Sequence, residues 1–297
     1  MTSVLVAFPT SDGQTGKAIY DGCETCGYEV DAIDPRKAPH HLIPALNKKK
    51  YDIVLCSRTI ELFPHIYRAK KITDAKFCMW NVDERHKLAE WGTLVFMADL
   101  VDFNFVMSEG SLNRWRHINK NSFFLPQGAQ IEKYHVPQVT TNERLKYGET
   151  ISFIGGMTKY HQDRQEILGY LEKLDIGFQA HEGVWGNDHN IISHCSLLNI
   201  GMAHSPWVAK YHSVRDWKIL AAGGVLLTRD HPGYDEFYNG FVETYLTKEE
   251  CVEKINMIKN NRKHYQDKAM EAAKWVRDSQ TYAHRMEEMV DIIEKNR

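Results

Sequence analysis

Short, nearly unbroken apolar runs alternate with helical segments along this chain, and that alternation constrains its fold more than any other feature. Residues 3–8, 51–56 and 75–80 are such runs in the first half of the sequence. A strand that is apolar on both faces is typical of a parallel sheet with helices packed on each side. The repeated strand–helix order therefore predicts an α/β protein with doubly wound sheets.

The alternation stops once, over residues 127–150, where polar residues replace the apolar periodicity. It resumes at residue 151 and ends in an almost wholly helical tail after residue 248. Domain boundaries fall in polar stretches of this kind. We therefore expect two Rossmann-like domains at 1–130 and 149–275, a linker at 131–148 and a terminal helix at 276–297. Two such domains facing each other would place a ligand cleft at the carboxyl ends of their strands.

The composition limits the classes of partner. The chain has 297 residues, of which 43% are hydrophobic, and this is enough for two buried cores. A formal net charge of −2 gives no general attraction to nucleic acid or to an anionic membrane. No apolar stretch approaches the ~20 residues of a membrane span, and residues 1–9 lack the basic start of a signal peptide. We expect a cytoplasmic protein without a membrane span.

The first candidate site is a glycine turn after the strand predicted at 151–154. Gly155 and Gly156 are followed by Lys159 and Arg164. Paired glycines let the backbone approach a phosphate, the next helix start offers free N–H groups, and the two cations suit a diphosphate. The spacing matches neither a G-x-G-x-x-G fingerprint nor a P-loop, so a plain turn with surface cations is the competing interpretation.

A second candidate is the glycine-bracketed loop that holds Gly183 and Trp185, directly after another predicted strand. The indole ring could pack against a base or a sugar at the carboxyl end of that strand. A glycine-rich turn with a packed tryptophan explains the same residues.

The third candidate is a helix that Ser213 is expected to cap, with Arg215 and Asp216 in its first turn. Its N-terminus would attract an anion, and Arg215 would pair with a phosphate or fix a neighbouring loop. The helix ends at Gly223 and Gly224, which lead into a buried strand. An ordinary helix–strand joint remains the alternative.

In this order along the chain, the segments resemble the CgeB-like (spore maturation protein-like) glycosyltransferases of the group-1 GT-B class. The most specific part is Ser213-Val-Arg-Asp-Trp-Lys-Ile-Leu-Ala-Ala-Gly-Gly-Val-Leu-Leu-Thr228. Trp80-Asn-Val-Asp-Glu84 and Phe124-Leu-Pro-Gln-Gly-Ala129 also resemble the family, and the similarity extends over about residues 50–245.

The resemblance implies a GT-B fold, in which two Rossmann-like doubly wound domains face a cleft and C-terminal helices cross back to the N-terminal domain. It implies that the N-terminal domain binds a hydroxyl-bearing acceptor and the C-terminal domain a nucleotide-diphosphate sugar, for which we expect a UDP-sugar. No metal and no cofactor are expected. The predicted donor-binding residues are Gly155, Gly156, Lys159, Arg164, Gly183, Trp185, Arg215, Asp216, Lys218, Gly223 and Gly224.

Two lysines depart from the pattern of the family. Many group-1 enzymes have a glutamate five residues before the first glycine of the helix-closing pair, where it binds the donor ribose. This chain has Lys218 there, and Lys210 at the related position eight residues earlier. An ammonium group cannot accept hydrogen bonds from ribose hydroxyls. Either another group of this chain recognises the ribose, or the donor binds in a different orientation from that in the related enzymes.

An inverting transfer needs a general base, whereas a retaining transfer does not, and the sequence leaves both open. Asp83, at the end of a predicted strand in the N-terminal half, is the first candidate base. Asp12, in the loop after the first strand, is the second, and His65 is a further one. A turn carboxylate that caps the next helix would also explain Asp83.

The predicted function is transfer of a sugar from a nucleotide-diphosphate donor to a hydroxyl on a polysaccharide, a small molecule, a protein or a hydroxylated DNA base. Nucleic acid is the less favoured acceptor, because the net charge is slightly negative. Two alternatives stay open. One is an epimerase-like Rossmann enzyme that modifies nucleotide-sugars, and the other is a non-catalytic binding protein on a degenerate GT-B frame.

Overall fold

The computed structural model describes residues 1–83, 92–156, 162–203 and 207–296. They form two compact units: Met1–Gly128 together with Tyr282–Arg297, and Ala129–Thr281. Each unit contains one parallel sheet with an apolar cluster on each of its faces. No helix in these ranges is long and apolar enough to cross a bilayer.

The first unit has six parallel strands in the order β2-β1-β3-β4-β5-β6. The strands are β1 (Ser3–Ala7), β2 (Glu29–Ile33), β3 (Ile53–Cys56), β4 (Lys76–Asn81), β5 (Phe103–Val106) and β6 (Ser122–Phe124). Its helices are α1 (Thr15–Thr25), α2 (Leu42–Lys48), α3 (Phe63–Ala69), α4 (Gly92–Leu100), α5 (Glu109–Arg116) and the last helix of the chain, α13 (Tyr282–Lys295). Single 3₁₀ turns, Pro39–His41 and Ile60–Leu62, lead into α2 and α3.

Helices α1 and α13 cover one face of this sheet, where Ile19 of α1 packs in one cluster with Met286 and Met289 of α13. The two helices approach closely at Gly22, because a Cβ there would lie 2.8 Å from the carbonyl carbon of Tyr282. The hydroxyl of Tyr282 donates a hydrogen bond of 3.0 Å to Gln127 Oε1. Burial of apolar area and one buried hydrogen bond therefore hold the end of the chain against its first helix.

The second unit has five parallel strands in the order β11-β10-β9-β7-β8. The strands are β7 (Ile151–Ile154), β8 (Phe178–His181), β9 (Leu198–Gly201), β10 (Leu226–Arg229) and β11 (Glu243–Tyr245). Its helices are α6 (Thr141–Tyr147), α7 (Gln162–Glu172), α8 (Gly186–Cys195), α9 (Val214–Ala221), α10 (Tyr234–Phe237), α11 (Lys248–Asn260) and α12 (Arg262–Ser279). One face packs on α7 and α11, the other on α9, α10 and α12.

The segment predicted as a linker, 131–148, has structure of its own. Tyr134 is only 1% exposed, in the core of the second unit. Helix α6 follows, with a capping box in which Thr140 and Glu143 bond each other's backbone N–H groups. The sequence showed no apolar period here because α6 buries none of its residues. The short strand β11 was also missed.

The predicted terminal helix, 276–297, is two helices in the structure. The backbone leaves the helical conformation at Gln280 and Thr281, so α12 belongs to the second unit and α13 to the first. The N–H of Ala129 donates to the carbonyl of Gln280 at 2.8 Å, and a parallel bridge joins Ala129 to Thr281. This pairing competes with continuation of the helix and explains the break.

The close approach at Gly22 makes a prediction about stability. We expect Gly22→Ala to lower the free energy of unfolding by about 1–3 kcal/mol, because its Cβ meets backbone atoms of α13 that cannot rotate away. Gly169→Ala in α7 is the matched control, since a Cβ there meets nothing within 4 Å and should stabilise the helix by up to about 1 kcal/mol. Chemical denaturation followed by circular dichroism measures both. Equal stabilities of the two variants would contradict the close packing.

Candidate functional site

The order of strands in the second unit reverses between β7 and β9, and ligands of open α/β sheets bind outside the carboxyl ends of strands at such a point. Gly155 and Gly156 follow β7, and Met202 follows β9. Arg164 spans these two loops: its Nη1 donates to the carbonyl oxygen of Gly156 at 2.8 Å, and its Nη2 lies 3.5 Å from that of Met202. The side chain thus fixes both loops around the expected ligand position.

Arg215 reaches the same place from the first turn of α9. Its guanidinium lies over the ring of Phe153, 4.8 Å from the centroid, and that of Arg164 lies 5.4 Å from it. A Cβ on Gly155 would come within 2.4 Å of Arg215 Nη2. Glycine at 155 therefore makes room for the arginine, and this is a physical reason for the residue that the sequence alone did not give.

Within the described residues, neither guanidinium group forms an ion pair, although the charge of the buried Asp216 acts on both. Burial, with the neighbouring charge of Arg164, lowers the pKa of Arg215 to about 10, and burial also lowers the pKa of Arg164. Arg215 Nη1 and Arg164 Nε are buried and have no hydrogen-bond acceptor within the described residues. Buried donors of this kind are nearly always paired in folded proteins. Phosphate oxygens match the geometry of guanidinium donors, so the pair fits a diphosphate.

Asp216 supports this pair from below the surface. Its side chain is 0% exposed, and its Oδ2 accepts a hydrogen bond of 2.9 Å from the hydroxyl of Tyr238, next to α10. Burial raises the pKa of Asp216 to about 6, against the opposing effect of Arg215. The hydrogen bond of Asp216 thus links α9 to the residue that follows α10. The carboxylate is too deeply buried for direct contact with a ligand.

Lys218, one turn further along α9, lies on a different wall. Its Nζ is 4.7 Å from the ring centroids of both Tyr134 and Trp185. Burial, followed by the charges of Arg215 and Lys133, lowers the pKa of Lys218 to about 8. The wall is therefore both aromatic and cationic.

The loop that carries Trp185 depends on glycines. Gly183 and Gly186 have φ angles of +68° and +59°, which side chains adopt only with strain. They turn the chain so that Trp185 stands at the start of α8 with 59% of its surface exposed. Gly183 has open space around its Cα, so it shapes the loop without forcing close packing.

Gly223 and Gly224 do not join the other predicted donor-binding residues, which corrects that part of the sequence analysis. They follow α9, whose eight residues separate them from its N-terminus by about 12 Å. A Cβ on Gly224 would lie 2.5 Å from the carbonyl oxygen of Ser193. These glycines allow α9 to pack on α8. Lys159 lies outside the described residues.

The first unit has a corresponding reversal between β1 and β3. A pocket of about 120 Å³ opens there, lined by hydroxyl, amide and charged groups that include Thr15, Arg36, Arg58 and Asp83. Asp83 forms an ion pair with Arg58 and remains 56% exposed. Asp12 is exposed in the preceding loop and does not line the pocket, and neither does His65. Of the three candidate bases, Asp83 alone lines this pocket.

Sequence reasoning missed several residues of these sites. Phe153 supports both arginines, yet in the sequence it is one apolar residue in a buried strand. Tyr134 fell in the predicted linker, and Tyr238 directly follows the short helix α10. Arg58 lies at the end of β3, which is a position that could have been flagged because strand ends carry ligands in this fold. Within the described ranges no group of three or more His, Cys, Asp or Glu residues could hold a metal ion.

The raised pKa of Asp216 predicts a pH dependence of stability. The folded value of about 6 lies above the ordinary 3.8, so the unfolded chain loses this proton first as the pH rises. We expect wild type to lose about 1–3 kcal/mol relative to Asp216→Asn between about pH 4 and pH 6. Asparagine keeps an acceptor for Tyr238, and Asp175→Asn on the surface is the control. Urea denaturation at several pH values measures the free energy of unfolding of each variant. A difference between wild type and Asp216→Asn that does not change with pH would refute the prediction.

Solved structures of other proteins share this architecture. Anabaena Alr3699/HepE in complex with UDP and glucose matches with a TM-score of 0.68 at 11% identity, covering 99% of this chain and 100% of that one. Sucrose-phosphate synthase from Thermosynechococcus elongatus matches with a TM-score of 0.68 at 9% identity and 99% coverage of both chains. The DNA-modifying enzyme β-glucosyltransferase, studied with and without uridine diphosphoglucose, matches with a TM-score of 0.60 at 11% identity, over 99% of this chain and 100% of that one.

These similarities show the fold, which comprises the two Rossmann-like parallel-sheet units of the GT-B class. No curated protein matches the sequence. A family model described as glycosyl transferase-like matches residues 140–291, a segment that includes β7–β11 and the arginine pair. Since the match covers half of the sequence, the chain belongs to this glycosyl transferase-like family.

Proposed function

We propose that the protein is a glycosyltransferase that moves a sugar from a nucleotide-diphosphate donor to a hydroxyl acceptor. One observation carries the proposal: Arg164 and Arg215 converge on Phe153 at the switch point of the second sheet, with buried donors that no described residue accepts. In glycosyl transfer the leaving diphosphate gains negative charge. Preorganised guanidinium groups stabilise that charge most in a buried site.

The donor we propose is a UDP-sugar. HepE binds UDP and glucose in its crystal, and the DNA-modifying β-glucosyltransferase has uridine diphosphoglucose as substrate. Both share the fold of this chain. We also propose the CgeB-like subgroup, on the strength of residues 213–228, whose Arg215 takes part in the arginine pair.

For the acceptor side we propose the pocket of the first unit, with Asp83 as the general base of an inverting transfer. Its carboxylate lines the pocket, and Arg58 holds it in place. The pocket offers hydroxyl and amide groups, which suit a polyhydroxylated acceptor. A hydroxylated DNA base is the less favoured acceptor, and binding to DNA would have to fall steeply with salt.

The arginine pair predicts a large loss of binding without a matching loss of stability. We expect Arg215→Met to weaken binding of UDP and UDP-glucose about 30-fold or more, because a buried charge partner of the diphosphate is lost. The free energy of unfolding should change much less than the free energy of binding, because the desolvation penalty of a buried cation is removed while Asp216 loses the favourable charge of Arg215. Isothermal titration calorimetry and chemical denaturation measure the two effects.

Arg277→Ala, on the surface of α12, is the control for loss of one positive charge, because among the described residues Arg277 pairs with the adjacent and exposed Asp278 alone. Unchanged UDP binding in Arg215→Met would remove the basis of the proposal. If wild type binds UDP-sugars but neither transfers nor hydrolyses the sugar, the non-catalytic alternative is favoured instead.

Asp83→Asn should lower kcat for transfer by about 10²-fold to 10⁴-fold, with the Kd for the donor unchanged, because the amide cannot take the proton of the acceptor hydroxyl. Asp12→Asn is the matched control and should retain activity. Steady-state kinetics with the donor found by calorimetry measures kcat. The anomeric configuration of the product shows whether the transfer inverts or retains. Full activity in Asp83→Asn would exclude it as the base and would favour a retaining transfer.

A further inference from the structure

We propose that Lys218 binds a third anionic group of the donor, so that the site selects nucleotide-sugars that carry a carboxylate or phosphate in addition to the diphosphate. The inference rests on the proposed function, because it takes the diphosphate to lie on Arg164 and Arg215. It goes further by naming a class of donor. The same chemistry could come from an acidic sugar or from a phosphorylated ribose.

The charges that neighbour Lys218 are positive. Arg215 lies one turn earlier on α9, and Lys133 approaches from the segment that precedes α6. Tyr134 and Trp185 offer ring faces, and the buried imidazole of His189 packs edge-on against Tyr134 at 5.3 Å. In the part of the chain that the structure describes, Lys218 makes no ion pair with a carboxylate.

Aromatic rings alone leave the hydrogen-bond donors of the Lys218 ammonium group without acceptors. A cation over a ring gains about 0.5–2 kcal/mol, but the three N–H groups of the ammonium still lack oxygen acceptors. Burial and two like charges lower the pKa of Lys218 to about 8, so most of the population remains charged at pH 7. A half-buried cation with two cationic neighbours is stabilised by an anion, and no described residue forms an ion pair with Lys218.

The diphosphate itself does not account for Lys218. The guanidinium of Arg215 lies over Phe153 and against Gly155, at the end of β7. Lys218 Nζ lies over Tyr134 and Trp185, on the wall formed by the start of α8. A neutral sugar linked to UDP carries charge only on its two phosphates, and the two arginines already match these. A further anionic group would meet Lys218.

The test is a ratio of affinities, measured by calorimetry on the full chain at pH 7. One arm compares UDP-glucuronate with UDP-glucose, which differ by a carboxylate on the sugar. The other arm compares UDP bearing a 3′-phosphate with UDP. We expect wild type to bind the more highly charged member of at least one pair about 10-fold to 100-fold more tightly, and the arm that shows the preference identifies the source of the charge.

Lys218→Met keeps the length of the side chain over the rings but removes the charge, so the preference should fall to a ratio near 1. Lys218→Arg should restore it, which separates charge from packing. A wild-type ratio near 1 in both arms, or a preference that Lys218→Met leaves intact, would overturn the inference while leaving the diphosphate site in place. If neither UDP nor any UDP-sugar binds, the proposed UDP donor fails first and the inference fails with it.

Discussion

The proposed donor site depends on two arginine side chains, each with a buried nitrogen, that lie against one aromatic ring. The two like charges repel each other, and burial removes the water that would screen them. Both effects lower the pKa of Arg215. The surrounding structure maintains the arrangement: Phe153 provides a platform, Gly155 provides room, and a carbonyl of the following loop holds Arg164. The fold thus keeps an unfavourable charge arrangement that an anionic ligand would relieve. Conformations of this kind, held by their surroundings, occur most often at functional sites.

The strand order determines where in the fold this arrangement lies. In both sheets the chain adds its second strand on one side of the first and its third strand on the other side. The direction of strand order therefore reverses between β1 and β3 in one unit and between β7 and β9 in the other. In the second unit the reversal brings the loops after β7 and β9 together, and Arg164 spans them. In the first unit the same topology opens a polar pocket at the end of β1, with Asp83 and Arg58 in its lining. One rule of strand order therefore accounts for the position of both candidate sites.

The sequence predicted the strands well because a parallel strand covered on both faces is mostly apolar, as in β3, whose four residues are all apolar and buried. Arg164 and Arg215 were also singled out from the sequence, because Arg164 follows a glycine turn and Arg215 lies in the first turn of a capped helix. Partners that act through packing could not be predicted in this way. Phe153 has the composition of any core residue, and α6 has no buried face to create a period. Gly223 and Gly224 were misassigned because a glycine needed for packing and a glycine needed for a ligand are identical in sequence. Only the neighbours, Ser193 and Asn199 in the case of Gly224, distinguish them.

The two lysines that depart from the family pattern have different explanations in the structure. Lys210 has a φ angle of +52°, its Nζ pairs with Glu236 at 3.2 Å, and its stem lies against Gly233, where a Cβ would come within 3.1 Å. It therefore stabilises the loop before α9 against α10, and its charge is already matched by a carboxylate. Lys218 has aromatic neighbours and cationic ones instead. A frame that had simply lost its donor site would be expected to relax toward neutral or apolar residues there, because nothing would then offset the unfavourable charge. Three cations on two walls of one strand-end site, with one buried carboxylate among the described residues, support our proposal that this site binds an anion.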